Sequence, residues 1–450
     1  KIMSKIRYAW ILFFIFILCC FSLRDNDFIA RYNSLCNLYS QGKYTEAKKD
    51  ASAAMCLKDN NLEAHLTFAK ILYLEGSPKD AKGVLDVALV HTWKSIIFLS
   101  YLYERERQFD KAIKLLEALN IIIPGTGQDC VHVNLAHSYL MIGDLINGFK
   151  EYERRRHEEC EKKDASKKPI WKGEEINKKR ILIYTEQGIG DMFQFIRFVY
   201  TLKKKGAFII LRLHKPFLKK ILSLCPYLDS VISYQDELPD HDYKIRLMSL
   251  PFALKTTLET IPSYVSYLYA DEKLIKKWHI FFKKDKNFKV GLCWYGACLS
   301  ACPFSCARGK RRSVPFEKLS SLNNLKGISF YSLQKNHKAI VGNSQLNMFI
   351  KPPCDDFDNE NGAFMDTAAI MKNMDLIITI DTSIAHLAGG LGVPTWIVLP
   401  FESDWRWLEH RLDSPWYPNV KLFRQITFNN WGSVIKNVTQ ELQQKVLYIK

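Results

Sequence analysis

The sequence predicts a helical repeat array followed by two doubly wound α/β domains, and three observations carry that expectation. Self-similarity with a step near 34 residues runs through residues 31–158. Further on, the apolar run Ile181-Leu182-Ile183-Tyr184 gives way to Gln187-Gly188-Ile189-Gly190-Asp191. In the same manner, Leu376-Ile377-Ile378-Thr379-Ile380 gives way to Asp381-Thr382-Ser383-Ile384-Ala385-His386. Each reads as a buried parallel strand that stops abruptly and starts a helix, the place where open α/β sheets keep their ligand sites. A helix start at such a turn offers unpaired backbone N–H groups to an anion. Two of them point to two nucleotide-fold halves facing one cleft.

The chain opens on Lys1, Lys5 and Arg7, followed by the apolar stretch Tyr8 to Leu23. That stretch is short of the ~20 residues a spanning helix needs and suits a signal h-region. No small-x-small cleavage site follows, because Arg24-Asp25-Asn26-Asp27 comes at once. Residues 1–30 therefore read as an anchor or signal-like segment. On that reading the protein is cytoplasmic and held at the inner face of a membrane. A start at Met3, or an upstream stretch that is not translated, is the rival reading.

Residues 31–158 carry the repeat. Gly42-Lys43-Tyr44-Thr45-Glu46-Ala47 recurs as Gly76-Ser77-Pro78-Lys79-Asp80-Ala81, then more loosely as Gln108-Phe109-Asp110-Lys111-Ala112 and Gly143-Asp144-Leu145-Ile146-Asn147-Gly148. Helical stretches with small residues at packing positions lie between, such as Ala64 to Ala69 and Asn134 to Tyr139. This helix-turn-helix period resembles tetratricopeptide repeats. Such repeats either hold a peptide or partner protein in their concave face or serve stability and self-association. Residues 159–179, charged and then interrupted by Pro169, read as a linker.

Two α/β blocks follow, at 180–280 and 281–450. Strands are expected at 181–185, 208–213, 231–234 and 243–247 in the first. In the second they are expected at 289–294, 328–333, 376–380, 395–399 and 420–423. A helix from Asp191 to Lys205 places Met192, Phe195, Ile196, Val199 and Leu202 on one face and stops at Gly206. The helix after Asp381 stops near Gly392 and Pro394.

Composition fits this division. A chain of 450 residues is too long for one core, and 48% hydrophobic with 25% charged residues is ordinary for a globular protein. The net charge of +17 gathers partly at Lys203-Lys204-Lys205, Lys283-Lys284 and Arg308, Lys310, Arg311 and Arg312. Such clusters suit a phosphorylated substrate or anionic lipid, or are solvated surface; no nucleic-acid-binding signature accompanies them. The 12 cysteines are scattered, and Cys56, Cys225 and Cys293 sit in apolar runs, as reduced buried thiols do. Cys298, Cys302 and Cys306 lack the paired Cys-x-x-Cys steps of metal sites and read as an irregular loop insertion. No metal and no cofactor are expected.

An ordered series of motifs runs through most of residues 169–431. It begins with Pro169-Ile170-Trp171-Lys172-Gly173-Glu174 and Glu186-Gln187-Gly188-Ile189-Gly190-Asp191-Met192-Phe193-Gln194-Phe195-Ile196-Arg197. Ser249-Leu250-Pro251, Ser332-Leu333-Gln334, Asp366-Thr367-Ala368-Ala369 and Asp381 to Gly389 follow. Asp404-Trp405-Arg406-Trp407, Ser414-Pro415-Trp416-Tyr417-Pro418 and Phe423-Arg424-Gln425 complete it. In this series the chain resembles the tetratricopeptide-linked bacterial glycosyltransferases related to heptosyltransferases (glycosyltransferase family 9). The resemblance implies a GT-B fold of two Rossmann-like domains, the first on the acceptor side and the second binding the nucleotide-sugar donor. It implies inverting transfer from a nucleotide-diphosphate sugar to a glycan, lipid-linked or protein acceptor, without a metal.

That chemistry needs a base for the acceptor hydroxyl and compensation for charge growing on the departing diphosphate. Asp191 matches the family's proposed catalytic aspartate; the alternative is an N-cap. Gly188 and Gly190 would let the backbone turn tightly and approach the substrate, or are simply turn glycines. Thr382 and Ser383 suit the diphosphate, while Asp381 suits an orienting or ribose-side role, since like charges repel. His386 either hydrogen-bonds toward the cleft or packs. Arg312 sits where the resemblance predicts a cation near the diphosphate. Gln334 is a candidate for the donor base. Trp405, Trp407, Trp416 and Tyr417 either stack on a sugar or form core, and Arg406 either meets an anionic group or pairs with Asp404. One stretch departs from the family pattern: residues 297–311 are long, cysteine-bearing and free of Asp and Glu. A repeat-based interaction scaffold with a degenerate transferase half is therefore the competing reading.

Overall fold

A computed structural model describes residue 27 and residues 30–447, apart from 36, 39–40, 58–61, 76, 78–79, 82–83, 85–92, 123–126, 156–165, 297–310, 336–349, 352 and 354–356. The apolar N-terminal stretch, Cys298, Cys302, Cys306, Arg308 and Lys310 lie outside the described residues. The described chain divides into two compact units, one ending at Asn134 and the other beginning at Leu135.

The first unit is helical. Helices α1 (Tyr44–Leu57) and α2 (Leu62–Leu74) pack as one pair, and α3 (Trp93–Arg105) and α4 (Phe109–Ile122) as the next. The small residues of the repeat are its packing points. Ala47, Ala81 and Ala112 are fully buried, as are Ala51 and Ala69 beside them. At the start of the loosest repeat no glycine is present, and Arg107 itself takes the left-handed turn at φ 60 that Gly42 takes at φ 74. Helix α5 (Gly127–Met141) spans the division between the units.

The second unit begins with the end of α5 and with α6 (Leu145–Tyr152), whose N-cap Asp144 accepts the Asn147 N–H. Next come four parallel strands: β1 (Arg180–Tyr184), β2 (Phe208–Leu213), β3 (Ser230–Ser233) and β4 (Tyr243–Arg246), in the order β3-β2-β1-β4. The expected first helix runs as two, α7 (Ile189–Phe195) and α8 (Arg197–Lys204), meeting at Ile196. Helices α9 (Lys219–Leu222), α10 (Leu250–Ala253) and α11 (Glu272–Phe282) complete this block.

The second sheet has six parallel strands: β5 (Phe288–Cys293), β6 (Ile328–Ser332), β7 (Ile350–Lys351), β8 (Leu376–Ile380), β9 (Thr395–Leu399) and β10 (Val420–Arg424). Their order, β10-β9-β8-β5-β6-β7, is the doubly wound dinucleotide-fold order. Helix α12 (Met365–Met371) precedes β8, α13 (Ser383–Gly390) follows it, and α14 (Trp431–Leu447) closes the core with Val434, Ile435, Val438 and Leu442. Strands β8 and β9 are largely apolar because both of their faces are covered: all five residues of each are buried. The fold class is thus the expected one, helical repeats followed by two Rossmann-like domains. Strand order reverses between β1 and β4 in one sheet and between β5 and β8 in the other. Among the described residues no helix is long and apolar enough to cross a membrane.

Gly148 illustrates how close the α5–α6 packing is. A Cβ at this position would lie 2.6 Å from Leu140 Cγ and Cδ2, and 3.2 Å from the Leu140 backbone nitrogen. Gly148→Ala is expected to destabilise the protein by about 1–3 kcal/mol, read from urea unfolding, because Leu140 is buried and its backbone cannot give way. Ile146→Ala, at an exposed position of the same helix, should stay within about 0.5 kcal/mol of the parent.

Candidate functional site

The first turn leaves β1 at the sheet's switch point. Thr185 and Glu186 are buried behind it, and Gln187 holds a left-handed backbone at φ 62. Gly188 then caps α7 at an ordinary φ of −80, and its N–H donates to Asp191 Oδ2 at 2.8 Å. The left-handed residue of this turn is therefore Gln187 rather than a glycine. Gly188 matters for another reason: its Cβ would lie 2.8 Å from Asp191 Oδ2. Lacking one, it lets the carboxylate fold back over the helix start.

The second turn leaves β8 at the other switch point. Thr382 is the N-cap of α13 but makes no side-chain cap, which leaves the first-turn N–H groups of Ser383 and Ile384 available to an anion. Asp381, Thr382 and Ser383 are partly exposed, whereas Ile384 to Gly390 are buried. Two more predicted residues gather at the end of the adjacent strand β5. Gln334 Oε1 accepts the Tyr295 N–H at 3.0 Å and lies 3.5 Å from Cys293 Sγ. Arg312 lies over Gly296, where a Cβ would come within 2.9 Å of its Nε.

The two turns meet. A Cβ on Gly190 would stand 2.8 Å from His386 Cδ2 and 3.6 Å from Ser383 Cα, so α7 and α13 approach start to start only because this residue is glycine. Arg406 ties them together. Its Nη2 donates to Asp191 Oδ1 at 2.5 Å, its Nη1 to Asp404 Oδ1 at 2.8 Å and its Nε to Gln194 Oε1 at 2.5 Å. The guanidinium lies 4.4 Å from the centre of the Trp405 ring. Asp191 thus keeps one fifth of its side chain exposed while anchored from both domains.

Behind the junction Arg197 is fully buried. It donates to the Trp416 carbonyl, to the Gln194 carbonyl at 2.8 Å and to the Tyr267 hydroxyl at 2.7 Å, with the Tyr417 ring 4.4 Å away. Trp405, Trp407, Trp416 and Tyr417 are all buried, so they are core and not a platform for a sugar. Arg424 is likewise structural, holding Ser403 Oγ and the Arg411 and Trp407 carbonyls. Sequence reasoning did not single out Gln194 or Arg197. The available signal was a glutamine and an arginine inside an apolar helix, which do not stay buried without partners.

Burial raises the Asp381 carboxyl above its usual value, and the neighbouring Asp404 pushes the same way against Arg312 and Arg406. His386 is stacked on Trp407 at 5.4 Å, bonded through Nδ1 to the Tyr417 hydroxyl at 2.8 Å, and 4.0 Å from Asp381 through Nε2. Burial, then the Arg406 charge, push it down to about 3, so it is a neutral packing and hydrogen-bonding residue. Among the described residues no group of three His, Cys, Asp or Glu side chains could hold a metal.

No known protein-family profile matches the chain. It is similar to "Protein FlbA" of Caulobacter vibrioides, 23% identical over an aligned stretch of 347 residues that covers 71% of this chain and 56% of that protein. The chain therefore spans little more than half the length of this curated relative. A solved structure of a glycosyl transferase family 9 protein from Veillonella parvula is similar at 13% identity and a TM-score of 0.45, over 62% of this chain and 99% of that one. Pseudomonas aeruginosa pilF is similar at 17% identity and a TM-score of 0.27, over 29% of this chain and 60% of that one.

The His386 shift makes a testable pH signature. Its folded value of about 3 lies below the unfolded 6.5, so between these the unfolded chain binds more protons. The His386 contribution to stability is therefore complete above pH 6.5 and lost as pH falls. Asp381, with a raised value, contributes with the opposite sign from its unfolded 3.8 upward. The stability difference between wild type and His386→Gln isolates the histidine. It should fall by up to about 1.4 kcal/mol per pH unit below 6.5, and a flat difference would show that His386 is protonated in the fold.

Proposed function

We propose that the chain is a glycosyltransferase that moves a sugar from a nucleoside-diphosphate sugar to an acceptor hydroxyl with inversion. One observation carries the reading: two helix starts from separate sheets, each at its switch point, meet through Gly190 and His386 around a shared set of charges. A single-domain site would need no such junction; a reaction between two bound substrates does.

On this reading the donor lies along the C-terminal ends of β5 and β8. Its diphosphate is received by the open N-terminus of α13, by Thr382 and Ser383, and by the Arg312 guanidinium. The side chain of Gln334 is already spent on Tyr295 through its carbonyl oxygen, which leaves its amide N–H groups for the base. The acceptor lies on the side of the first sheet. Asp191 takes the acceptor proton as the acceptor oxygen bonds to the sugar carbon, and the bond from that carbon to the diphosphate breaks. The electron pair leaves with the nucleoside diphosphate, where helix N–H groups and arginine balance it. Asp191 can serve because Gly188 and Arg406 fix its orientation while each carboxylate oxygen keeps a lone pair. Arg406 holds the base and does not need to touch the donor. The acceptor class is a glycan, a lipid-linked sugar or a protein brought by the helical repeats.

Thermal shifts with ADP, UDP, GDP and CMP, followed by transfer assays with the sugar conjugate of the nucleotide that binds, test this reading. Asp191→Asn should lower transfer by about 10²- to 10⁴-fold while the nucleotide-induced shift persists. Arg312→Ala should weaken the shift itself, and a chelator should leave turnover unchanged. A folded wild-type protein that responds to none of the nucleotides would sink the transferase reading in favour of a scaffold.

A further inference from the structure

Helix α6 lies in the helical segment by sequence but belongs to the same compact unit as the sheets. One of its faces carries Phe149, Tyr152 and, just beyond its end, Arg155, at steps of three residues. Phe149 is buried with its ring edge-on to Phe195 of α7 at 6.1 Å and to Trp405 at 5.9 Å. The helix thus touches both Rossmann-like domains where they join.

The next two residues on this face reach the turn that carries Asp191. Tyr152 Oη accepts the Gln187 side-chain N–H at 2.6 Å. Arg155 forms a buried pair with Glu186, through Nη2 at 2.6 Å and Nε at 3.1 Å, and donates to Ser249 Oγ at 2.9 Å. Glu186 Oε1 in turn accepts the Met248 N–H at 3.3 Å. Burial pushes the Tyr152 phenol up to about 12, so it stays neutral beside Asp191 and Arg406.

Gln187 is where this support is needed. A non-glycine residue at φ 62 costs about 1–2 kcal/mol in backbone energy and persists only where its surroundings hold it. Its carbonyl is held by Lys215 Nζ at 2.8 Å and His214 Nε2 at 3.0 Å, its side chain by Tyr152, and the residue before it by Arg155. If the turn relaxes, the Gly188 N–H and with it the Asp191 carboxylate lose their aim.

We propose that Tyr152 and Arg155, supplied by the helical segment, are positioning residues for the transfer step, clamping the Glu186-Gln187 turn, left-handed at Gln187, that orients Asp191. The proposal rests on the transferase reading for its kinetic consequence and on geometry alone for the clamp. The full chain is tested with Tyr152→Phe, with Tyr152→Phe/Gln187→Gly, and with Arg155→Met/Glu186→Gln, which removes both buried charges together. In Tyr152→Phe and in the charge-free pair, amide hydrogen exchange at residues 188–191 should quicken about tenfold. For Tyr152→Phe, kcat should fall by about tenfold to a hundredfold with the donor KM within about twofold of wild type. Gln187→Gly in that background should restore kcat, because glycine adopts positive φ without strain; a residue that merely stabilised the fold would not be rescued there. Unchanged exchange, or a kcat loss that Gln187→Gly leaves in place, overturns the proposal. Absence of turnover in wild type would sink the transferase reading while the exchange measurement still decides the clamp.

Discussion

The site depends on one buried guanidinium. Arg406 sits between Asp191 of the first domain and Asp404 of its own, with Gln194 completing its hydrogen bonds. A charged group taken out of water costs several kcal/mol unless its partners are in place. The two carboxylates offset that cost only while the two domains keep their junction. The geometry of the base and the juxtaposition of the domains are therefore one constraint. Gly190 makes that constraint sterically possible, since any side chain there would meet the His386 ring before Arg406 reached Asp191.

What lay open in the sequence follows the same logic. Strands β1, β2, β8 and β9 were legible as apolar runs because both faces are buried, and the turns after β1 and β8 were legible because their residues break those runs. The stop of α13 was legible from Gly392 and Pro394, local chemistry again. The residues that were not legible owe their state to partners far along the chain. Arg197 stands in an apolar helical stretch, but nothing local identifies Tyr267, Trp416 and Tyr417, which close around it. The left-handed backbone of Gln187 is invisible because glycines stand beside it and the holding groups come from residues 152, 214 and 215. The two-residue strand β7 carries too little pattern for any periodicity to reveal.

The aromatic residues near the site show why composition alone misleads about ligands. Trp405, Trp407, Trp416 and Tyr417 cluster within a short span of sequence, as sugar-stacking residues would. In the fold they surround Arg197, Arg406 and His386 instead. Their rings lower the cost of burying two guanidinium groups and keep water from the back of the junction. Their contribution to a reaction is indirect: a dry wall behind the charges, which strengthens every interaction in front of it.

Asp381 bears on how this junction would meet an anion. Counted as ions, Asp191, Asp381 and Asp404 face Arg312 and Arg406, with Arg197 buried behind them, so little net positive charge is left for an incoming diphosphate. Burial and the neighbouring Asp404 disfavour ionisation of Asp381, which weakens the repulsion an anion would meet there. The open start of α13 adds its own partial positive charge. Diphosphate binding, by adding negative charge beside Asp381, would disfavour its ionisation further. On the proposed function, burial thus makes the residue that looks least suited to a phosphate site less unfavourable to it.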